Sequence, residues 1–148
     1  MRERSAAATA CDSWAPAPHG ARLRLDLARD REAPARARAA IDRWCPELDG
    51  GRSRQETLLL LVSEIVTNAV MHSRAPEDAA IVLSAGMHGE HVRVEVTDGG
   101  DGFTPPSDGI SRRRERMTIG GYGLYVVDQA ATRWGVDRAG GTRVWFDI

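Results

Sequence analysis

The sequence predicts a domain of the α+β class, in which strands of alternating polarity are combined with helices. Residues 91–97 alternate valine with polar residues, as a strand with one buried face does. Residues 80–85 form a similar strand, and the connection at 86–90 makes the two a candidate antiparallel hairpin. Residues 56–74 are apolar around almost the whole helix, which is typical of a helix buried in a domain rather than lying on its surface.

The remaining elements follow from the same two periodicities. Residues 21–27 alternate arginine or aspartate with leucine, which predicts a half-buried strand. Residues 33–44 are predicted to form a helix. Pro34 is compatible with it because it falls in the first turn, where a missing N–H group is harmless. The other predictions are a loop at 49–53, a helix at 123–131 and a last pair of strands at 133–137 and 142–148.

The chain is expected to be a single domain preceded by a tail. Residues 1–20 are rich in alanine, proline and serine, which predicts a flexible segment. Residues 21–148 are long enough to form one hydrophobic core. The opening residues lack the apolar stretch of a signal peptide, and Cys11 and Cys45 have no metal-binding spacing. We therefore expect a cytoplasmic protein with reduced thiols.

The charge composition excludes several chemistries. The formal net charge is -1, so no overall field favours binding to nucleic acid or to an anionic membrane. All 20 basic residues are arginine. Without lysine there is no Walker-type phosphate loop and no Schiff-base lysine. If this chain binds a nucleotide, groups other than lysine must bind its phosphates.

Polar residues recur every four positions in the apolar helix. Glu64, Asn68 and His72 therefore lie on one side of it. One interpretation is a helix with a single solvated stripe; the other is the wall of a binding site. In a site, the carboxylate of Glu64 can act as a base. The amide oxygen of Asn68 can ligate a hard cation such as Mg²⁺.

A glycine-rich stretch follows the strand at 91–97. Asp98 offers only acceptors at the end of that strand, which suits recognition of an amino group. The glycines at 99, 100 and 102 let a flat ring approach the backbone. The alternative interpretation is a plain Asp-Gly turn.

Two further glycine clusters precede predicted elements. Glycines at 120, 121 and 123 lie at the start of a helix, where exposed N–H groups favour anions. The alternative there is a flexible entry into the helix. Residues 140–142, Gly-Gly-Thr, are by themselves a tight turn. The arginine cluster at 112–116 fits either a solvated face or a phosphate contact from a lid.

Taken in order, these motifs resemble the GHKL ATPases, the superfamily of gyrase B, MutL, the heat-shock chaperone ATPase and the histidine kinases. SEIVTNAVMH resembles their N-box, DGGDGF and GGYGL their two glycine boxes, and GGTRVWF their closing strand. The form of the N-box and the small size look most like the bacterial anti-sigma-factor serine kinases. The resemblance covers about residues 20–148.

This resemblance implies a Bergerat fold: a two-layer α/β sandwich with a mixed, mainly antiparallel sheet and helices on one face. It also implies ATP and Mg²⁺ as ligands, with residues 103–119 as a lid over the nucleotide. Asn68 would ligate the metal, and Glu64 would be the general base. The implied nucleotide contacts are Asp98 to the adenine amino group, Gly100 and Gly102 beside the ring, Gly121, Gly123 and Leu124 to phosphate, and Thr142 through its hydroxyl.

The implied function is an anti-sigma factor that is also a serine/threonine kinase. Its partners would be a sigma factor and an anti-anti-sigma protein of the STAS type, with a homodimer as a further assembly and no direct contact with nucleic acid or membrane. A histidine kinase is not expected, because the chain has no room for a helical dimerisation domain. The alternatives are a non-catalytic, nucleotide-gated binding module of the same fold and a structural protein that binds no nucleotide.

Overall fold

In a computed structural model of the protein, the described residues are 22–45, 48–100, 122–138 and 140–148. The predicted tail, the predicted lid, the arginine cluster, Gly102 and Gly121 lie outside them. The elements in chain order are β1 Leu23–Leu27, α1 Ala33–Trp44, α2 Gly51–His72, β2 Ile81–His88, β3 His91–Asp98, α3 Tyr122–Ala130, β4 Arg133–Asp137 and β5 Thr142–Asp147.

The five strands form one sheet in the order β1-β2-β3-β5-β4. Every described pairing is antiparallel. The resemblance implied a mixed, mainly antiparallel sheet, and the described strands show its antiparallel part. The predicted hairpin is confirmed: His88 pairs with His91, and Gly89 between them has a φ of 63°. A positive φ suits the tight two-residue connection, which glycine adopts without steric cost.

The core lies between the helices and one face of the sheet. Val92, Val94 and Val96 of β3 are buried together with Phe146 of β5. They belong to one apolar cluster with the buried residues of α2, which are Leu58, Leu61, Val62, Ile65, Val66 and Ala69. The predicted α+β class is therefore confirmed as two layers, with the alternating valines pointing toward the helices.

Helix α2 differs from its prediction in two ways. It begins at Gly51, so most of the loop expected at 49–53 is helical. Gly50 has a φ of 99° and starts the helix, and Arg52 contacts Glu56 at 3.2 Å in the first turns. The helix is also not buried all round, because Leu60 is 48% exposed and Met71 65% exposed. Apolar composition alone overestimated its burial.

The opposite face of the sheet holds a buried ionic cluster. The Arg93 guanidinium donates to both carboxylate oxygens of Asp147, at 2.6 and 2.8 Å. Arg133 donates to the same carboxylate at 2.9 Å, and the Trp145 ring lies 4.2 Å from the guanidinium carbon of Arg93. Asp147 is fully buried and Arg93 is 4% exposed. One bidentate pair of hydrogen bonds and a second cation offset the desolvation of these charges.

The described helices include none that is both long enough and apolar enough to cross a lipid bilayer. Cys45, just after α1, is a half-buried thiol. Burial, and then the neighbouring Asp42 carboxylate, raises the pKa of this thiol above its usual value. Both effects disfavour the thiolate, which is the reactive form of cysteine. Cys11 lies outside the described residues.

Replacing Arg93 by methionine should destabilise the fold by about 3 kcal/mol, because it leaves the buried Asp147 carboxylate with a single close cation. The measurement is the midpoint and slope of urea unfolding. The matched control is Arg52→Met, which removes an ion pair whose side chains are 90% and 68% exposed and should change stability little. Equal effects of the two variants would show that the Arg93–Asp147 pair is not a stabilising contact.

Candidate functional site

The polar stripe of α2 lies against the beginning of α3. A Cβ atom at Gly123 would be 2.8 Å from Oε2 of Glu64. The same atom would be 3.0 Å from Nδ2 and 3.3 Å from Oδ1 of Asn68. Glu64, Asn68 and Gly123 therefore lie close together, although Gly123 is at least 55 positions away from the other two along the chain. A side chain at 123 would have to displace the ends of the Glu64 and Asn68 side chains, so glycine permits this close approach.

Glu64 and Asn68 are half-buried rather than fully buried. Among the described residues, neither side chain has a hydrogen-bond or ion-pair partner. Partial contact with solvent lowers the cost of leaving them unpaired. Gly123 and Leu124 lie in the first turn of α3 as the described residues show it, and the N–H groups of a first turn point toward the N-terminal end of the helix. The described part of the site thus combines a carboxylate, an amide oxygen and the N–H groups of this turn.

Asp98 ends β3 on the helix-facing side of the sheet. It is 7% exposed, and its Oδ1 accepts a hydrogen bond of 2.7 Å from the Gly100 N–H group. This is the Asp-Gly turn that the sequence allowed. The turn uses one carboxylate oxygen only, and Oδ2 has no partner among the described residues. The turn and the acceptor role are therefore compatible in one side chain.

Gly100 is needed for packing. A Cβ there would lie 2.8 Å from the Ala75 backbone nitrogen and 2.9 Å from that of Arg74, in the turn that follows α2. Arg29 holds the same turn from the other side, donating to the carbonyl oxygens of Ser73 at 3.2 Å and Ala75 at 3.0 Å. That a flat ring lies beside Gly100 stays a prediction. In the structure the lack of a side chain at Gly100 makes room for the turn that follows α2.

The beginning of β5 contacts Asp98 and Gly100 as well. Thr142 is 3% exposed, and its hydroxyl donates to the Gly100 carbonyl oxygen at 3.1 Å. A Cβ at Gly141 would collide with the carbonyl oxygen of Asp98, and the φ of Gly141 is 131°. Glycine is therefore required there on two counts. The Thr142 oxygen can still accept a hydrogen bond from a ligand after donating its proton.

A small cavity connects the two groups of residues. Its volume is about 20 Å³, enough for one water-sized group. Polar atoms reach it from α2, β3 and β5, and the remaining wall is apolar. The residues that line it are Asn68, Ala69, His72, Val96, Asp98, Leu124, Thr142 and Val144.

The structure brings most of the predicted site residues to this one region. Glu64, Asn68, Gly123 and Leu124 lie on the α2–α3 side; Asp98, Gly100 and Thr142 lie at the ends of β3 and β5. Sequence reasoning missed Gly141 as a site residue, and it missed Arg29 entirely. The Gly-Gly-Thr motif was a usable signal for Gly141. Arg29 had none, because its role depends on the proximity of two loops.

The residues present fit a magnesium ion. The described residues contain no group of three or more histidine, cysteine or acidic side chains that could hold a metal by themselves. Mg²⁺ is ordinarily bound by one or two protein oxygens, with waters and substrate phosphates supplying the others. The amide of Asn68 beside the carboxylate of Glu64 matches that donor set.

The chain belongs to the histidine kinase-like ATPase family. The family's domain, described as "Histidine kinase-like ATPase domain", matches residues 27–148. This confirms the predicted family, and the description of the family implies that the domain binds ATP. No curated protein matches the chain significantly.

Two solved structures are similar to it. One is a crystal structure of the RsbU and RsbW domains of Rv1364c from Mycobacterium tuberculosis, at 23% identity and a TM-score of 0.62. It matches 86% of this chain and 32% of that one, and at this identity it supports the fold. The other is the histidine kinase domain of a blue-light activated histidine kinase from Erythrobacter litoralis EL346, at 30% identity and a TM-score of 0.49. That match covers 66% of this chain and 45% of the other.

Gly123→Ala should weaken ATP binding by about tenfold or more, because the added methyl group must displace Glu64 or Asn68. Alanine is the better helix former, so the fold should survive. The measurement is the dissociation constant for ATP with Mg²⁺, with the melting temperature as a check on folding. Gln129→Ala, an exposed substitution on the same helix, is the control and should leave the affinity unchanged. Parent-like affinity in Gly123→Ala would place the nucleotide elsewhere.

Proposed function

We propose that this protein is an ATP-dependent serine/threonine kinase that phosphorylates an anti-anti-sigma protein and also sequesters a sigma factor. It would act in the cytoplasm and regulate transcription by exchanging these two partners. The proposal extends the ATPase family assignment by two features, the serine/threonine acceptor and the sigma-factor partner. The RsbW domain in the name of the similar structure agrees with the resemblance of the N-box.

The observation that carries the proposal is the meeting of Glu64, Asn68 and the start of α3 at one point. A kinase needs a base for the attacking hydroxyl, a ligand for the metal and donors for the phosphates. Here a carboxylate, an amide and the N–H groups of the first described turn of α3 lie together around Gly123, and they can supply these three needs. A chain without lysine can hold phosphate in this way.

In the proposed reaction Glu64 accepts the proton of a serine hydroxyl on the partner protein. The hydroxyl oxygen forms a bond to the terminal phosphorus of ATP while the bond to ADP breaks, so the products are phosphoserine and ADP. Mg²⁺, held through Asn68, would neutralise phosphate charge when bound. Asp98 orients the adenine through the carboxylate oxygen that its turn leaves unused, and Thr142 keeps Gly100 in place beneath it.

Asp98→Asn should weaken ATP binding and reduce discrimination against GTP. Asparagine can keep the 2.7 Å bond to Gly100 through its oxygen, but the other position becomes a donor, which no longer suits an amino group. The measurement is the ratio of the dissociation constants for ATP and GTP. Asp49→Asn, in the exposed loop before α2, is the control. An unchanged ratio would reduce Asp98 to a turn residue.

Glu64→Gln separates catalysis from binding. Losing a positioned base should lower the rate of phosphate transfer by about 10²–10⁴-fold, while ATP affinity, folding and sigma-factor binding persist. Asn68→Ala should lose both transfer and metal-dependent nucleotide binding, because it removes a metal ligand. The measurement is transfer from labelled ATP to a purified anti-anti-sigma protein.

Glu56→Gln, an exposed substitution on the same helix, is the control for these two variants. Transfer at the parent rate by Glu64→Gln would refute the assignment of the base. A parent protein that binds ATP but transfers no phosphate would instead be the nucleotide-gated binding module.

A further inference from the structure

Two large apolar side chains of α2 are exposed to solvent. Leu60 is 48% exposed and Met71 is 65% exposed, and the described residues contain no other large hydrophobic side chain in this class. A single exposed apolar residue is ordinary on a protein surface. These two share one helix with Glu64 and Asn68, so their positions around that helix show whether they form one surface.

Leu60 and Met71 lie on the same face of α2. Eleven residues separate them, and eleven steps of about 100° complete three turns with about 20° left over. Glu64 is rotated from Leu60 by about 40°, and Asn68 by about 80° in the same direction. Because Asn68 and Glu64 contact Gly123, the two apolar side chains lie on the side of Glu64 that faces away from α3.

The two apolar residues also lie before and after Glu64 along the helix axis. At about 1.5 Å per residue, Leu60 is about 6 Å from Glu64 along the axis, and Met71 is about 10 Å from it in the opposite direction. The carboxylate proposed as the base is therefore flanked by an exposed leucine at one end and an exposed methionine at the other.

An arginine of α1 lies at the other border of this face. Arg38 is exposed, and its guanidinium donates to the Ser63 hydroxyl at 3.0 Å. Ser63 is rotated by about 60° from Leu60, in the direction opposite to Glu64. No described carboxylate forms an ion pair with Arg38. We refer to Leu60, Met71 and Arg38 together as the α2 surface: two apolar side chains between the carboxylate of Glu64 and a cation.

Transfer of phosphate to a protein restricts where that protein can bind. Its serine hydroxyl must come within about 3 Å of the Glu64 carboxylate for the proton to move. A standard protein–protein interface buries about 800 Å² on each partner, which corresponds to a disc of about 16 Å radius. Leu60 and Met71 both lie inside such a disc centred on Glu64. A bound acceptor protein therefore covers the apolar side chains that the free chain exposes.

We propose that the phosphoacceptor protein docks on the α2 surface, with apolar side chains against Leu60 and Met71 and a carboxylate against Arg38. This inference rests on the proposed kinase function and adds the chemistry that the acceptor needs around its serine. The contacts come from two helices and extend over about 16 Å of α2, so the acceptor is a folded surface rather than a short serine peptide. The flexible Met71 side chain adapts to the shape of that surface.

The double variant Leu60→Ser/Met71→Ser tests the apolar part of the surface. It should raise the KM for a purified anti-anti-sigma protein by about tenfold or more, because it removes binding that the ground state and the transition state share. The kcat at saturating acceptor and the dissociation constant for ATP should stay unchanged. The matched control, Gln129→Ser/Ala130→Ser, places two serines at exposed positions of α3 and should keep the parent KM. Melting temperatures show that both double variants fold.

Arg38→Ala tests the charged part of the surface independently. It should raise the same KM by about fivefold, and it should make the KM less sensitive to salt, because exposed charges are screened by ions. A merely structural role of Arg38 would lower the melting temperature and leave the salt dependence as in the parent.

The outcomes separate this inference from the proposed function. Transfer by the parent, with the parent KM in Leu60→Ser/Met71→Ser and in Arg38→Ala, would overturn the docking surface and leave the kinase standing. A parent that transfers no phosphate would refute the kinase and the docking surface with it. Variants that keep the KM but lose sigma-factor binding, or that change only the oligomeric state, would also overturn the proposal, because the α2 surface would then belong to another partner.

Discussion

The close packing around Gly100 is the constraint on which the rest of the site depends. The turn after α2, the end of β3 and the start of β5 meet there. A side chain at Gly100 would collide with backbone nitrogen atoms 2.8 and 2.9 Å away. Asp98 holds the Gly100 N–H group and Thr142 holds its carbonyl group. Both backbone groups of Gly100 are thus held at the ends of β3 and β5. The turn after α2 packs directly against Gly100, and Arg29 bonds the carbonyl oxygens of Ser73 and Ala75 in that turn.

This anchoring determines where the polar stripe of α2 points. One side of the helix is committed to the valine-lined core, and its end is tied to the sheet, so Glu64 and Asn68 are left facing the start of α3. The ionic cluster of Asp147 lies on the opposite face of the sheet and stabilises the pairing of β3, β5 and β4. Residues that form the core and this cluster are therefore largely separate from those that form the site.

Local sequence patterns predicted the helices and strands. The roles of individual residues that depend on long-range contacts could not be predicted from these patterns. The bounds of α1 and β4 agree with the prediction, because the sequence pattern of each element is uninterrupted and ends at clear breaks. The start of α2 was wrong because a glycine at positive φ began the helix where the composition indicated a loop. Motif order located Asp98, Gly123 and Thr142. The role of Arg29 and the burial of Arg93 depend on loops and strand partners that no single segment specifies.

The charge balance at the start of α3 explains why a divalent cation belongs to the proposed function. The N-terminus of a helix carries a partial positive charge, and Glu64 already lies beside it without a cationic partner among the described residues. Phosphates bound at the same N–H groups would place more negative charge against that carboxylate. A lysine could offset it, but the chain has none. A metal ion held by Asn68 would supply positive charge at the site and would reduce this repulsion.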